Sequence, residues 1–190
     1  MTDIRQIEPY GFTFYENREL PLNVRMAMAS RETAKYCSLR ISTNYLCYAS
    51  SETPTSGMGY NFGSGVWVNE GRFRENAEKY PKLAELLNEV CGYVREYSTG
   101  MQIGRHQDSY QQELASTGAC WGGGWAGHSN PDYDFLLHAG TSGIREKLAQ
   151  YRPVNPDESD FYDGCEIMMD ALDILGDRFR ALALSMAENE

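Results

Sequence analysis

Apolar positions in this chain recur at three- and four-residue steps over most of its length, the period of an amphipathic helix. The C-terminal stretch is the clearest case. Phe161, Cys165, Met168, Leu172, Leu175, Phe179, Leu182 and Met186 alternate steps of four and three, a heptad-like seam that must bury against something. Ile167, Met169, Ile174 and Leu184 lie off that seam, so apolar surface on more than one side of this helix points to a partner surface. The helix is predicted from Asn155-Pro156-Asp157-Glu158 to about Ala187, with Asn as N-cap, Pro at the first helical position and Asp in the first turn. Asn130-Pro131-Asp132 repeats that device and opens a predicted helix to about Tyr151.

Earlier in the chain, Met26, Ala29, Thr33, Tyr36 and Cys37 form one face of a helix predicted from near Asn23 to about Ala49. A second helix is predicted from about Arg72 to Tyr97, broken at Pro81 and carrying Leu83, Leu86, Leu87, Val90 and Val94. Residues 1–22 are polar with scattered aromatics (Phe12, Phe14, Tyr15) and are expected to be irregular. Residues 50–71 hold Pro54, Gly57, Gly59, Gly63 and Gly65 and read as loop, with at most one short strand at Val66-Trp67-Val68. Residues 98–131 read as a long connection, uncommon inside a domain and usually functional where it occurs. The fold class expected is mainly α, with long Gly-rich loops and no internal repeat.

Composition narrows the classes. The chain has 190 residues, 42 % hydrophobic and 23 % charged, which fits a single globular region and excludes disorder. Its net charge of -10 makes it a poor partner for nucleic-acid phosphate or acidic lipid, so neither nucleic acid nor membrane is expected. Ten acids and two arginines fall between Pro156 and Glu190, a run expected to be a solvated helix face. There is no apolar run of spanning length and no secretory h-region after Met1. Cys37, Cys47, Cys91, Cys120 and Cys165 are scattered and odd in number, which suggests reduced thiols in a cytoplasmic protein.

Candidate chemistry is sparse. His106, His128 and His138 lack the close pairing of zinc ligands, and no metal site is expected. Gly122-Gly123-Gly124-Trp125-Ala126-Gly127 matches the letters of a dinucleotide loop without a strong preceding strand. Two readings stay open for it: a tight turn with Trp121 and Trp125 in the core, or glycines that admit a ligand while the tryptophans wall a pocket. His128 precedes the predicted Asn130 cap by two residues, where the positive end of a helix favours neutral imidazole. A neutral imidazole both donates and accepts, so His128 is the candidate substrate-binding residue; the alternative is a histidine satisfied by local backbone. Cys165 sits on the apolar seam in an acidic segment and is expected to be a core cysteine rather than a nucleophile.

The stretch Gly124-Trp125-Ala126-Gly127-His128-Ser129-Asn130-Pro131-Asp132-Tyr133, followed by Leu136-Leu137-His138-Ala139-Gly140-Thr141-Ser142-Gly143-Ile144, resembles a known segment. It is similar to the G-H-x-x-P-D-Y-x-x-(V/L)-L-x-x-G-x-x-G-(I/L) segment of the pyruvate formate-lyase-like glycyl radical enzymes. The resemblance runs from about Trp121 to Ala187 and more weakly from Arg72 to Leu87, so family-like helices are expected over 72–187, and residues 1–65 are not placed by it.

The resemblance implies the helical N-terminal part of a ten-stranded β/α barrel enzyme. In such enzymes a backbone glycyl radical, installed by a radical SAM activating enzyme, generates a cysteine thiyl radical that abstracts hydrogen from a small substrate. His128 matches a family histidine that reaches the substrate pocket, and Asp132 and Tyr133 match a structural helix start. Neither the R-V-x-G-Y glycyl motif nor the G-C-x-E cysteine loop occurs in these residues, and Gly164-Cys165-Glu166 lacks the intervening position. The resemblance therefore implies no catalytic residue here and no bound cofactor; the glycyl radical belongs to another part of the enzyme. The chain is expected to be a truncation or one piece of a split lyase, dehydratase or decarboxylase. Its expected partners are the remainder of the enzyme or a complementing subunit, the activating enzyme, and a second copy as homo-oligomer. The alternative is a non-catalytic helical interaction protein that binds a full-length enzyme.

Overall fold

The chain opens in helix where its polarity predicts irregular coil. In the computed structural model α1 spans Ile4–Ile7 and α2 spans Pro9–Glu16. Ile4, Ile7, Tyr10 and Phe14 recur at helical steps and are all buried, a pattern that the intervening Arg5, Gln6 and Glu8 obscure in the sequence. Pro9 occupies the first turn of α2. Glu8 caps that helix: its Oε1 accepts from the Gly11 amide at 3.1 Å and from Ser56 Oγ at 2.6 Å.

The structure describes residues 3–42, 49–52, 56–61, 65–117 and 132–188. They belong to two compact units, one formed by Met1–Ser56 with Asp132–Glu190 and the other by Gly57–Pro131.

In the first unit α3 covers Leu22–Tyr36 and stops well short of the predicted Ala49. Cys37 turns extended (φ -58°, ψ 145°), and β1 (Ser38–Ile41) pairs antiparallel with β2 (Ala49–Glu52), Ser38 opposite Glu52 and Ile41 opposite Ala49. Ser38, Ser42 and the β-branched Ile41 are weak helix formers, which the apolar steps alone do not register. Of the predicted α3 face, Ala29 and Cys37 are buried, Met26 and Thr33 half-buried, and Tyr36 exposed.

The C-terminal helix α9 (Ser159–Glu188) packs on α3. Its start differs from the expectation. Pro156–Glu158 form a 3₁₀ turn, and the Asn155 side chain makes no cap but donates to Tyr162 Oη at 2.9 Å and the Tyr151 carbonyl at 3.2 Å. The buried residues of α9 are Tyr162, Gly164 and Ala171, not the heptad seam. A Cβ on Gly164 would lie 3.3 Å from the Asn23 carbonyl oxygen, so glycine is what permits this approach. Ala27, Ala29 and Ala34 are small residues buried on α3. Small residues bring helix axes together, and bulky side chains move to the flanks. Phe161, Met168 and Leu172 are accordingly 52 %, 38 % and 40 % exposed, while Cys165, Leu175, Phe179, Leu182 and Met186 are half-buried. Arg178 seals the far end of the α3–α9 pair, donating to the Ala34 carbonyl at 2.6 Å and the Cys37 carbonyl at 2.8 Å. Those are carbonyls that the end of α3 leaves without an intrahelical donor. The remaining helix of this unit, α8 (Tyr133–Tyr151), also packs on α9.

The second unit contains an antiparallel hairpin, β3 (Met58–Asn61) with β4 (Gly65–Val68), where the sequence predicts at most the Val66–Val68 strand. The predicted break at Pro81 is present: α4 (Glu70–Lys79), a 3₁₀ turn at Pro81–Leu83 and α5 (Ala84–Arg95). Asn69 caps α4, accepting from the Arg72 amide at 3.0 Å. Phe73, Leu87, Val90 and Val94 are fully buried. The front of the predicted long connection is two short helices, α6 (Thr99–His106) and α7 (Ser109–Ser116). Ser98 caps the first, and Asp108 with Gln111 forms a capping box on the second. No helix among the described residues is long and apolar enough to cross a membrane.

Candidate functional site

The motif-bearing stretch is built around α8. Its cap is Asp132, not the predicted Asn130: Asp132 Oδ1 accepts from the Phe135 amide at 3.0 Å. Aspartate at this position both satisfies an orphan amide and opposes the positive end of the helix. Tyr133 and Leu137 are exposed on the first half of α8.

Gly140 divides the helix. Its backbone sits at φ 63°, ψ -166°, a conformation open essentially only to glycine. Immediately after the break, Thr141 Oγ1 donates to Asp173 Oδ1 at 2.7 Å. One turn later the Arg145 guanidinium donates to Glu166 at 2.8 Å, Asp170 at 2.9 Å and Asp173 at 3.0 Å. Glu166, Asp170 and Asp173 fall at helical steps on one side of α9, so a single arginine reaches all three. Asp170 also accepts from Arg31 of α3 at 3.2 Å, tying three helices together. The Thr141 hydroxyl, then Arg145, hold the Asp173 carboxyl below the usual carboxylate range. Hydrogen bonds donated to Asp173 and Asp170 push the Arg145 guanidinium further up, so it is a cation at every working pH. The acidic run expected to be a solvated face is therefore half-exposed and, at these positions, ion-paired.

This arrangement is a clamp. It fixes the second half of α8 to α9 and leaves the first half, with its Asp132 cap, as the point where the chain from His128 enters the helix. His128 itself, with Trp121, Gly122–Gly124 and Trp125, lies outside the described residues. His138 is exposed, its Nδ1 2.8 Å from the Asp134 carbonyl oxygen, and His106 is exposed at the end of α6. No group of three or more His, Cys, Asp or Glu side chains able to hold a metal is present among the described residues. Cys165 is half-buried, and burial, then the charge of Glu166, raise its thiol above the ordinary value against a smaller opposing effect of Arg152. A thiol held protonated in this way is a poor nucleophile.

Sequence reasoning gave Gly140 only a place in the family motif and assigned no role to Thr141, Arg145 or Asp173. The available signal was the spacing of Glu166, Asp170 and Asp173, which matches one helix face and needs a facing cation. A separate cleft of about 460 Å³ opens at the start of α9, lined by Asn23, Asp157, Glu158, Asp160 and Phe161.

Compared with known families, residues 5–190 match a family model described as pyruvate formate lyase-like. No curated protein and no solved structure matches the chain.

Proposed function

From the premise that the chain belongs to the pyruvate formate lyase-like family, we propose that it supplies a helical wall of the substrate pocket of a glycyl radical enzyme. The enzyme would be a radical lyase, dehydratase or decarboxylase acting on a small organic substrate. The observation that carries this reading is the clamp on α8. Asp132 and Gly140 match the family segment, Thr141 follows Gly140 directly, and each has a mechanical part in fixing the helix that follows Asp132.

The role assigned to this chain is binding and orientation. His128 stands four residues before the Asp132 cap of α8 in the sequence, and we assign it a neutral imidazole. A neutral imidazole donates through one nitrogen and accepts through the other, so it can orient a hydroxyl, amide or carboxylate of a substrate. Abstraction of a substrate hydrogen atom is the chemistry that a cysteine thiyl radical would supply, generated by a glycyl radical that an activating enzyme installs. No residue here matches the R-V-x-G-Y or G-C-x-E motifs, so we assign the radical to the remainder of the enzyme or to a complementing subunit.

The test is His128→Ala in the assembled enzyme. Turnover should fall while circular dichroism and the thermal midpoint stay close to the parent, because a polar contact is lost and no core volume. Full turnover would remove His128 from the pocket. The partly uncovered seam at Phe161, Met168 and Leu172 favours one other reading, an interaction protein without a pocket role. Under it, His128→Ala would leave turnover of the bound enzyme unchanged.

A further inference from the structure

Two groups stand out among the acids of α9 and its approach. Asp163 is paired with Arg152, and Glu166, Asp170 and Asp173 with Arg145. Asp157, Glu158 and Asp160 are exposed, have no ion-pair partner among the described residues, and line one cleft of about 460 Å³ with Asn23 and Phe161. No basic side chain lines that cleft. Phe161 is shared with a second feature. It begins a stripe of exposed apolar side chains that continues, past the half-buried Cys165, to Met168 and Leu172. An apolar stripe and an unneutralised anionic cleft are thus continuous along one helix.

We propose that this surface docks an amphipathic helix of a partner polypeptide, with apolar side chains over Phe161, Met168 and Leu172 and a cluster of Lys or Arg over Asp157, Glu158 and Asp160. This goes beyond the pocket reading and does not depend on it. Charge complementarity selects the occupant. Three carboxylates beside an apolar ring are matched by cations on long aliphatic stems, which cover the ring while their heads reach the acids. A second copy of this chain brings a net charge of -10 and adds like charge to the interface. The stripe spans about 16 Å at 1.5 Å per residue, so the docked helix needs about three turns. Its cations are best placed in its own C-terminal turn, where its dipole favours them, so it runs antiparallel to α9.

The probe is a fluorescein-labelled synthetic amphipathic peptide of about five turns, with leucines at helical three- and four-residue steps and three lysines in its last turn. Binding to the full chain is followed by fluorescence anisotropy. Saturable binding is expected, weakened at least tenfold by Leu172→Ser, by combined Asp157→Asn, Glu158→Gln and Asp160→Asn, and by high salt. A peptide with glutamates in place of the lysines should not bind. These positions are exposed, so the variants should fold, which circular dichroism checks. Equal binding by a scrambled peptide of the same composition, unchanged binding by the variants, or no binding at all would overturn the proposal. So would a concentration-dependent dimer that Leu172→Ser converts to monomer, which assigns the stripe to a second copy. None of these outcomes alters the His128 test.

Discussion

Replacing Arg145 with glutamine removes the cation that joins α8 to α9 while keeping a polar side chain of similar reach. The guanidinium makes three ion pairs, at 2.8, 2.9 and 3.0 Å, and its side chain is 32 % exposed against 35–48 % for the carboxylates. Half-exposed pairs contribute roughly 0.2–1 kcal/mol each, and three that share one guanidinium are not additive. Loss of the cation also leaves Glu166 and Asp170 as a like-charge pair at four-residue spacing without the guanidinium between them, a further cost of up to about 0.2–0.5 kcal/mol. Arg31 on Asp170 and Thr141 on Asp173 survive and limit the damage. The expected destabilisation is about 1–2 kcal/mol at neutral pH and low salt. Because the Asp173 carboxyl is held below its ordinary value, its contribution is present above the unfolded pKa and is lost as pH falls through the lower folded value. The gap between parent and variant should therefore be open at neutral pH and close in strong acid, and it should shrink in high salt. Urea unfolding followed by far-UV circular dichroism measures it. A large gap that ignores both salt and acid, or no gap at neutral pH, would refute this view of the clamp.

Gly140→Ala forces a side chain into backbone space open essentially only to glycine and should cost about 1–3 kcal/mol, read as a lower thermal midpoint; an unchanged midpoint contradicts the break in α8. Leu87→Ala, at a fully buried position, should cost about 2–5 kcal/mol in urea unfolding. Leu137→Ala, at a position 82 % exposed, should stay within about 0.5 kcal/mol of the parent.

The helices that were legible in the sequence are those whose apolar period was strong and whose ends carried punctuation. The Pro81 break and the buried Leu87-Val90-Val94 face follow from such signals. α1 and α2 were hidden because a buried glutamate and a proline, usually signs of exposed coil, act there as cap and first turn. The β1–β2 hairpin was hidden because the apolar steps of α3 run on into residues that pair as strand. On α9 the eye follows the bulky seam, whereas packing chose the face where Gly164 and Ala171 let the backbones approach. The clamp was legible only on its acidic side. Arg145 lies at least 21 residues from its acidic partners, and no local pattern encodes that pairing. The family motif did place the segment, through Asp132 and Gly140, whose cap and left-handed roles are local.

The most direct test is anaerobic activation of this chain with a radical SAM activating enzyme, alone and together with a polypeptide that carries the R-V-x-G-Y and G-C-x-E motifs. Electron paramagnetic resonance and substrate turnover are the readouts. The expected result is no glycyl doublet from this chain alone, a doublet in the mixture, and turnover only when both polypeptides are present. A doublet on this chain alone, or full turnover by the other polypeptide without it, would contradict its place as a wall of the radical pocket.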